Sequence, residues 1–256
     1  MGRASTRKDP TGLQERRIDD LNSGIAEAST LKECLVVDFA ALMKVVLPEI
    51  GKDAIAAMEK EGREGILKRM RLAGGLILDR LGTAVLPKLT GHPSDTVRGW
   101  ACFVIGAREK AEPAGLLDAI HPLADDHHFG VREWAWMAVR PHMVADLETY
   151  IVHLASWAGS PSERVRRFSS ESIRPRGVWA SHIDLLKKHP EMGLPVLDRL
   201  RADPANYVQL SVGNWLNDAG KDQPEWVRTV CRRWLTEEEG SPHTKRIVDR
   251  ALRSLK

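Results

Sequence analysis

One acidic residue in the second half of the chain lies inside an unusually basic segment. Residues 166–180 read RRFSSESIRPRGVWA, in which Glu171 is surrounded by four arginines, a proline and a tryptophan. Guanidinium groups suit phosphate oxygens, because the planar fork donates two parallel hydrogen bonds. Since proline ends helices, Pro175 is expected to stop its helix just beyond Glu171, so that Arg174 and Arg176 extend from a loop. The segment therefore combines one acid with groups able to hold an anion.

Two further carboxylates occupy comparable places. Glu133 directly follows one of the repeated arginines described below, and Asp218 lies ten residues after a repeated valine. Taken singly, each carboxylate is expected to be solvated or paired with a local arginine. If the repeats bring them to one surface, Glu133, Glu171 and Asp218 cluster. Such a cluster would stabilise positive charge on a bound molecule.

The elements that must position these acids belong to an internal repeat. The pattern Val-Arg-x-aromatic occurs as VRGW, VREW and VRRF, and the valines Val97, Val131 and Val165 are 34 residues apart. A looser copy, VQLS, starts at Val208, 43 residues further on, with glutamine and serine in place of the arginine and the aromatic residue. This period is typical of helix pairs that bury their apolar faces by stacking on neighbouring pairs. The sequence predicts an all-α fold, a curved α-solenoid of HEAT-like helical repeats with one concave surface.

The rest of the chain agrees with a helical fold. Apolar residues recur at helical spacing in segments such as LVVDFAALMKVVLPEI, and strand-like alternation is nearly absent. Residues 1–16 are polar and basic and contain a proline and two glycines, which predicts a disordered tail. A single HEAT-like repeat domain is expected over residues 17–256.

Composition limits the classes of partner. The chain of 256 residues has 38 Lys and Arg against 35 Asp and Glu, and residues 1–17 alone account for the net charge of +3. Binding to phosphates depends on local potential, so a nucleic-acid partner requires that the remaining charges be segregated on one face. No apolar run approaches the roughly 18 residues of a membrane span, so no membrane insertion is expected.

Cysteine and histidine usage argues against a metal. Cys34, Cys102 and Cys231 lie far apart in apolar helical patterns, which favours buried, reduced thiols and a cytoplasmic location. His127 and His128 are adjacent, a spacing that does not place both on one metal ion. The sequence contains no GxxxxGK, GxSxG or HExxH motif. We expect neither a metal nor a cofactor.

The basic residues have two interpretations. A repeated arginine often supports the turn between two helices, and isolated surface charges usually have no specific partner. The accumulation of arginines between residues 164 and 176, with a second basic cluster near residue 245, instead favours a nucleic-acid backbone. On the second interpretation the DNA-binding residues are Arg98, Arg132, Arg166, Arg167, Arg174, Arg176, Lys221, His243, Lys245 and Arg246.

Eight tryptophans against four phenylalanines and two tyrosines is an unusual balance. Trp100 and Trp134 share one repeat position and are expected in the core. Trp136 lies two residues from Trp134 and so faces another side of its helix, whereas Trp179 follows the Arg-Pro-Arg sequence. We interpret both as exposed and predict Trp136 as a DNA-binding residue and Trp179 as a contact to the lesion or its sugar. An exposed indole face can stack on a sugar or hold a cation.

Three segments carry a resemblance to a known family: VRRFSSESIRPRGVWA, NYVQLSVGNWLNDAGKDQPEWV and HTKRIVDRALRSL. Together with LKECLVVDFAALMKVVLPEIG, they resemble the AlkC branch of the AlkC/AlkD family of HEAT-like DNA alkylation repair glycosylases, over residues 18–256. The resemblance implies that Glu171 and Asp218 match the family's acids and Trp179 its active-site aromatic residue. Glu133 lies in a segment that matches less closely.

The resemblance also implies a reaction. Family members remove N-alkylated bases such as 3-methyladenine, with 3-methylcytosine as a second candidate, and hold DNA in the concave groove without a tight base-flipping pocket. An N3-alkylated base is cationic and already a good leaving group, so carboxylates need only stabilise the sugar and position a water, while an indole adds cation–π attraction. The implied protein is a monomer acting on DNA that contains alkylated bases.

Two departures from the family accompany the match. Many AlkC proteins add a C-terminal immunoglobulin-like domain that helps to hold DNA, and the sequence to Lys256 contains no counterpart. The residues around Glu171, SSESIRPR, also vary from the family's pattern.

Two other functions remain open. A non-catalytic HEAT-repeat protein that recognises bent or branched DNA would keep the basic surface but lack a working set of carboxylates. It would bind DNA with a steep salt dependence and release no base. A HEAT-type scaffold for other proteins would instead have an uncharged or acidic concave face.

Overall fold

The computed structural model describes residues 15–108 and 112–255, and all regular secondary structure in these ranges is helical. Three 3-10 turns, Pro48–Ile50, Thr83–Val85 and Pro190–Gly193, precede α4, α6 and α13. The helices are α1 (Glu15–Asn22), α2 (Leu31–Val36), α3 (Phe39–Val46), α4 (Lys52–Lys60), α5 (Ile66–Leu81), α6 (Leu86–Thr90), α7 (Asp95–Gly106), α8 (Pro113–Ala124), α9 (Phe129–Ala145), α10 (Leu147–Trp157), α11 (Glu163–Glu171), α12 (Asp184–Lys188), α13 (Leu194–Leu200), α14 (Asn206–Gly220), α15 (Pro224–Glu237) and α16 (Pro242–Ala251).

The predicted all-α class is confirmed. No helix of the described residues is long and apolar enough to cross a membrane. The tail predicted over residues 1–16 lies outside the described residues except for its last two positions, which begin α1.

The described residues form two compact units. The first contains residues 15–108 and His127–Ala138, and the second contains Glu112–Asp126 and residues 139–255. The N-terminal part of α9 thus belongs to the first unit and its C-terminal part to the second. The single repeat domain over residues 17–256 stays a prediction.

The four repeat copies begin their helices in the same register. Each of α7, α9, α11 and α14 starts two residues before the repeated valine. Val97, Val131, Val165 and Val208 are therefore third residues of their helices, and all four are buried. The looser fourth copy is structurally equivalent to the other three.

The fourth residue of each of these helices anchors the turn before it. Arg98 donates from Nη1 to the carbonyl oxygens of His92 and Pro93, at 2.9 and 3.0 Å. The equivalent bonds of the other copies also reach back five or six residues: Arg132 to His127 at 2.8 Å, Arg166 to Ser160 and Pro161 at 3.0 Å each, and Gln209 to Asp203 at 2.8 Å. Because the carbonyl groups of a turn lack helical partners, these side chains satisfy them. The geometry favours the turn-supporting interpretation of the repeat.

In the first unit, a glycine lets two helices approach closely. A Cβ at Gly74 of α5 would lie 2.5 Å from the Cβ of Phe103 on α7. The unit buries Trp100 and Trp134, as expected for a shared repeat position.

In the second unit, α14 packs against both α11 and α16, and α10 packs against α11 and α13. Val165, Phe168, Val212 and Trp215 are buried in this core. Between α11 and α12 the chain runs for 12 residues without a helix, 172–183, whereas α9 joins α10 through Asp146 alone. This loop contributes to the longer interval before the fourth repeat copy.

All three cysteines are buried and none forms a disulfide. Burial raises the pKa of the Cys34 and Cys231 thiols to about 12, so both are protonated and unreactive near neutral pH. This confirms the expectation of buried, reduced thiols. Among the described residues, no group of three or more His, Cys, Asp or Glu side chains could hold a metal ion.

Candidate functional site

Glu171 is the last residue of α11. Ser162 caps the helix start, where its hydroxyl oxygen accepts from the Arg164 backbone N–H at 3.2 Å. The helix ends four residues before Pro175. Because a residue before proline is disfavoured in the helical conformation, the helix cannot continue through Arg174. The expected end of the helix just beyond Glu171 is confirmed.

Arg174 joins two carboxylates from different helices. Its Nη1 donates to Glu171 Oε1 at 2.8 Å, and its Nε and Nη2 donate to Asp218 Oδ2 at 3.0 and 2.6 Å. The side chains of Arg174, Glu171 and Asp218 are 9%, 5% and 6% exposed. A single buried guanidinium therefore holds the acids of α11 and α14 on either side of it.

The second oxygen of Glu171 has its own donors. Ser211 Oγ donates to Glu171 Oε2 at 2.7 Å, and Arg167 Nη2 lies 3.5 Å from the same oxygen. Ser170 Oγ is in turn 2.8 Å from Ser211 Oγ. Ser211 was not among the predicted site residues. Its sequence signal was present, because it replaces the aromatic residue of the repeat with a hydroxyl.

The surrounding charges keep Glu171 ionised. Burial alone raises the pKa of Glu171, but the charges of Arg167 and Arg174 and the hydrogen bonds from Ser211 and Arg174 outweigh it, so the pKa lies below its ordinary value. For Arg174, burial lowers the pKa, whereas Glu171 and Asp218 raise it by more. The Glu171–Arg174 pair is therefore charged at neutral pH.

Asp218 connects this buried cluster to the surface. Its Oδ1 lies 3.3 Å from Lys221 Nζ, and the Lys221 side chain is 46% exposed. The other carboxylate oxygen, Oδ2, is occupied by Arg174. Oδ1 is thus the oxygen of Asp218 that lies towards an exposed cation.

The loop 172–183 is fixed by hydrogen bonds at several points. Trp215 Nε1 donates to the carbonyl oxygen of Ile173 at 3.0 Å. The backbone N–H of Ile183 donates to the carbonyl oxygen of Pro175 at 2.9 Å and closes the loop. The loop that carries Arg174 is consequently a defined structure.

Trp179 lies on this loop and is exposed, as expected from the sequence. It is 52% exposed, and its neighbour Val178 is 56% exposed. Its φ angle of +59° lies in the left-handed region, which costs a non-glycine residue roughly 1 kcal/mol or more. The loop thus presents an indole to solvent in a strained backbone conformation.

Trp136 is not exposed, and this sequence expectation is wrong. It is 1% exposed, and its Nε1 donates to Glu133 Oε2 at 2.8 Å. Residues 134–140 of α9 are all buried, so a residue that faces away from Trp134 on this helix is buried as well.

Glu133 belongs to the first unit and Glu171 and Asp218 to the second. The structure brings the latter two together, and the inclusion of Glu133 stays a prediction.

Several of the predicted DNA contacts are bound to carboxylates. Arg98 is 5% exposed and donates to Glu27, and Arg166 donates to Asp203 at 2.6 and 3.1 Å. Arg174 is bound to the two acids described above. These guanidinium groups already bind protein carboxylates, and their contacts with DNA stay predictions.

The remaining predicted contacts have these environments. Arg132 is half-buried. The Arg167 side chain is 12% exposed and its guanidinium lies over the Tyr207 ring at 4.8 Å. Arg176 is paired with Asp222 at 2.9 Å, Lys245 with Asp249 at 2.9 Å, and His243 Nδ1 lies 3.1 Å from Gln209 Nε2. Arg246 is exposed on α16. Their contacts with DNA stay predictions.

Comparison with known proteins decides the family. The sequence model of a family described as DNA alkylation repair enzyme matches residues 101–246, which include Glu171, Arg174 and Asp218. The chain belongs to the DNA alkylation repair enzyme family. This confirms the resemblance to AlkC and AlkD proteins found in the sequence.

Three known proteins show how much of the chain is similar in sequence or in structure to a relative. The uncharacterized protein YhaZ of Bacillus subtilis is 41% identical over 118 residues, which are 46% of this chain and 32% of YhaZ. The alkylpurine DNA glycosylase AlkC of Pseudomonas fluorescens, solved bound to DNA containing an abasic site analog, has a TM-score of 0.67 at 26% identity, over 84% of this chain and 60% of that chain. The smu.31 protein of Streptococcus mutans, with a TM-score of 0.60 at 21% identity over 78% of this chain and 96% of that chain, shares the fold. The chain therefore spans less than two thirds of YhaZ and of AlkC.

Proposed function

We propose that this protein is a DNA glycosylase that removes cationic N-alkylated bases from DNA by hydrolysing the N-glycosidic bond. The observation that carries the proposal is the pair of buried acids, Glu171 and Asp218, held by Arg174 in a member of a DNA alkylation repair enzyme family. The similar structure of an alkylpurine DNA glycosylase supports the class of reaction. The substrate to test first is 3-methyladenine in DNA, and 3-methylcytosine is the second. The proposed protein is a cytoplasmic monomer that uses no metal or cofactor.

The chemistry of a cationic base limits what the protein must supply. Alkylation at a ring nitrogen leaves a positive charge on the base. When the bond from C1′ to the base breaks, its electron pair moves to the base and neutralises it, so no acid has to protonate the leaving group. The sugar becomes an oxocarbenium-like cation. A water oxygen then bonds to C1′, loses a proton and leaves an abasic site.

The two acids are proposed to stabilise that sugar cation. Glu171 and Asp218 are the acids of this cluster, and a carboxylate directed at the sugar stabilises a cation there. Asp218 Oδ1, on the side of the exposed Lys221, would position the attacking water and accept its proton. Trp179 would contact the cationic base through its ring face. Glu133 remains a further candidate for the same stabilising role.

The proposal is tested with methylated duplex DNA and mass spectrometry of the released bases, after subtraction of spontaneous release. Asp218→Asn is expected to lower the single-turnover rate constant by about 100-fold, a typical loss for one electrostatic group at a reaction centre. The matched control is Asp203→Asn, which removes another buried, arginine-paired carboxylate of the second unit. It should retain the wild-type rate within about twofold wherever it is folded. Equal rates for wild type and Asp218→Asn would reject the catalytic role.

A second candidate is a DNA-binding protein without catalytic activity. It is favoured by the fact that Glu171 and Asp218 are each only 4% exposed and are bound by Arg174. In such a protein the acids hold the loop together and contact no sugar. It would bind DNA in a salt-dependent manner and release no 3-methyladenine above the spontaneous background. Measuring affinity and base release on the same DNA separates the two functions.

A further inference from the structure

One buried arginine contacts both ends of the loop 172–183. Arg140 lies in the part of α9 that belongs to the second unit and is 3% exposed. Its Nη1 donates to the carbonyl oxygen of Ser172 at 2.6 Å, and its Nη2 donates to those of Arg174 and Ser181 at 2.7 and 3.0 Å. Its Nε lies 3.3 Å from the same oxygen of Ser181. A single planar group therefore joins the first and last turns of the loop.

The middle of the loop also lies against this arginine. A Cβ at Gly177 would be 3.2 Å from both Cζ and Nη2 of Arg140. That separation is tighter than ordinary van der Waals contact, so a glycine is what lets the backbone pass so close to the guanidinium. Arg140 thus touches the loop at its beginning, middle and end.

A guanidinium is suited to this position by its shape. Three carbonyl groups in a non-helical segment need donors, and buried carbonyl groups without donors are costly. The fork of Arg140 supplies donors in fixed directions, whereas a lysine ammonium is a compact charge on a flexible stem. Burial lowers the pKa of Arg140 to about 10, and the nearby carboxylates of Glu171 and Asp218 oppose that effect. The side chain stays protonated at neutral pH.

We propose that Arg140 is a positioning residue that fixes the loop 172–183, and with it Arg174 and Trp179, in the conformation needed for base release. Because it is buried, it acts through the loop and contacts no DNA. Its bonds to the carbonyls of Ser172 and Arg174 flank Ile173 and set the direction in which the Arg174 side chain leaves the backbone. The kinetic part of this inference rests on the proposed function, and the structural part does not.

The test replaces Arg140 with lysine, which keeps the charge and cannot reach the three carbonyl groups together. In Arg140→Lys, the Ile183 amide, which is bonded to Pro175 in the wild type, is expected to exchange with deuterium at least about tenfold faster. Single-turnover release of 3-methyladenine at saturating DNA should fall about tenfold. The dissociation constant for the same DNA should change by less than the rate constant of base release, because Arg140 itself contacts no DNA.

Two further variants sharpen the result. Gly177→Ala presses on the same guanidinium from the loop side and should accelerate exchange and slow base release in the same way while Arg140 is intact. Arg201→Lys is the control, because Arg201 also donates to a backbone carbonyl of this unit, that of Asp198 at 2.6 Å, and lies outside the loop. It should change neither measurement.

The outcomes are distinct. Unchanged exchange in Arg140→Lys and Gly177→Ala overturns the anchoring of the loop. Faster exchange with an unchanged rate of base release overturns the link to the reaction. If the wild-type protein releases no base, the proposed function fails, and the exchange result alone then supports or overturns the anchoring.

Discussion

Arg167 and Arg174 together determine the charge state of Glu171. A carboxyl group that is 4% exposed would favour its neutral form if burial acted alone. The two neighbouring arginines reverse this preference and hold the pKa of Glu171 below its ordinary value. The acid is therefore already ionised before any DNA is bound, and its negative potential is available without a proton transfer.

This charge state leads to a prediction about stability and pH. Glu171→Gln is expected to lower the free energy of unfolding at pH 7 by about 3 kcal/mol, because the buried Arg174 guanidinium loses one of its two carboxylate partners. Since the pKa of Glu171 is lower in the folded chain than its ordinary 4.5, the stabilisation is complete above pH 4.5 and is lost as the pH falls through the folded-state pKa. Urea unfolding should therefore show a smaller difference between variant and wild type at pH 3 than at pH 7.

The control for this prediction is Glu163→Gln. Glu163 is an exposed glutamate in the first turn of the same helix. Its substitution should change the free energy of unfolding by less than about 0.5 kcal/mol at either pH. A difference for Glu171→Gln that is as large at pH 3 as at pH 7 would contradict the lowered pKa.

Single residues also show what the sequence could and could not reveal. Glu171 was recognisable as the acid of a basic segment, and both Glu171 and Asp218 match acids of the family that the sequence resembles. Ser211 could have been found from the loss of the aromatic residue in the fourth repeat copy. Arg140 could not, because its partners lie 32 to 41 residues away and contact it only in the folded chain. Trp136 was wrongly predicted to be exposed, because this part of α9 has no exposed face.

At the scale of elements, the repeat is defined by its turns as much as by its helices. Arginine in three copies and glutamine in the fourth bind carbonyl oxygens of the preceding turn in the same way. A long side chain with a hydrogen-bond donor at its end is enough for this contact, and a positive charge is not needed. This explains why the fourth helix keeps its register although its sequence departs from the pattern.

The turn contact predicts the effect of Arg166→Ala. The change removes two hydrogen bonds to turn carbonyls and leaves Asp203, which is 6% exposed, without its ion-pair partner. We expect the free energy of unfolding to fall by about 3 kcal/mol in urea titrations, since a buried carboxylate loses its cation. Arg246→Ala, which changes an exposed arginine, should alter it by less than about 0.5 kcal/mol. A fully stable Arg166→Ala protein with weakened DNA binding would show that Arg166 contacts DNA instead.

At the scale of the whole molecule, the net charge of +3 does not show which cations are exposed. Several arginines serve the interior or its turns, so the proposed DNA binding is expected to depend on exposed side chains such as Lys221, Lys245 and Arg246. The sequence predicted the helical class from apolar residues at helical spacing and the repeat architecture from the 34-residue spacing, because stacked helix pairs leave a strong periodic signal. It could not assign each cation to turn or surface, because that depends on contacts between distant segments.

The exposed cations lead to a prediction for DNA binding. The affinity for unmodified duplex DNA should fall as salt rises, because bound phosphates release counterions. Replacing Lys245 and Arg246 with alanine together should reduce the slope of log affinity against log salt by about 1 to 2. Fluorescence anisotropy over a salt series measures this slope. Arg80→Ala with Lys88→Ala, two exposed cations of the first unit, should leave it unchanged, and an equal slope in both double variants would contradict these contacts.

The position of the loop 172–183 has a consequence for engineering. The repeat helices before and after the loop, α11 and α14, both begin two residues before the repeated valine, so the loop lengthens the interval between them and leaves this register unchanged. Its ends are held by Arg140 and by the Ile183–Pro175 bond, while Val178 and Trp179 extend into solvent. Residues 178–180 could therefore be exchanged as a cassette between fixed ends. Such a library would change what the loop recognises while the helical framework stays constant.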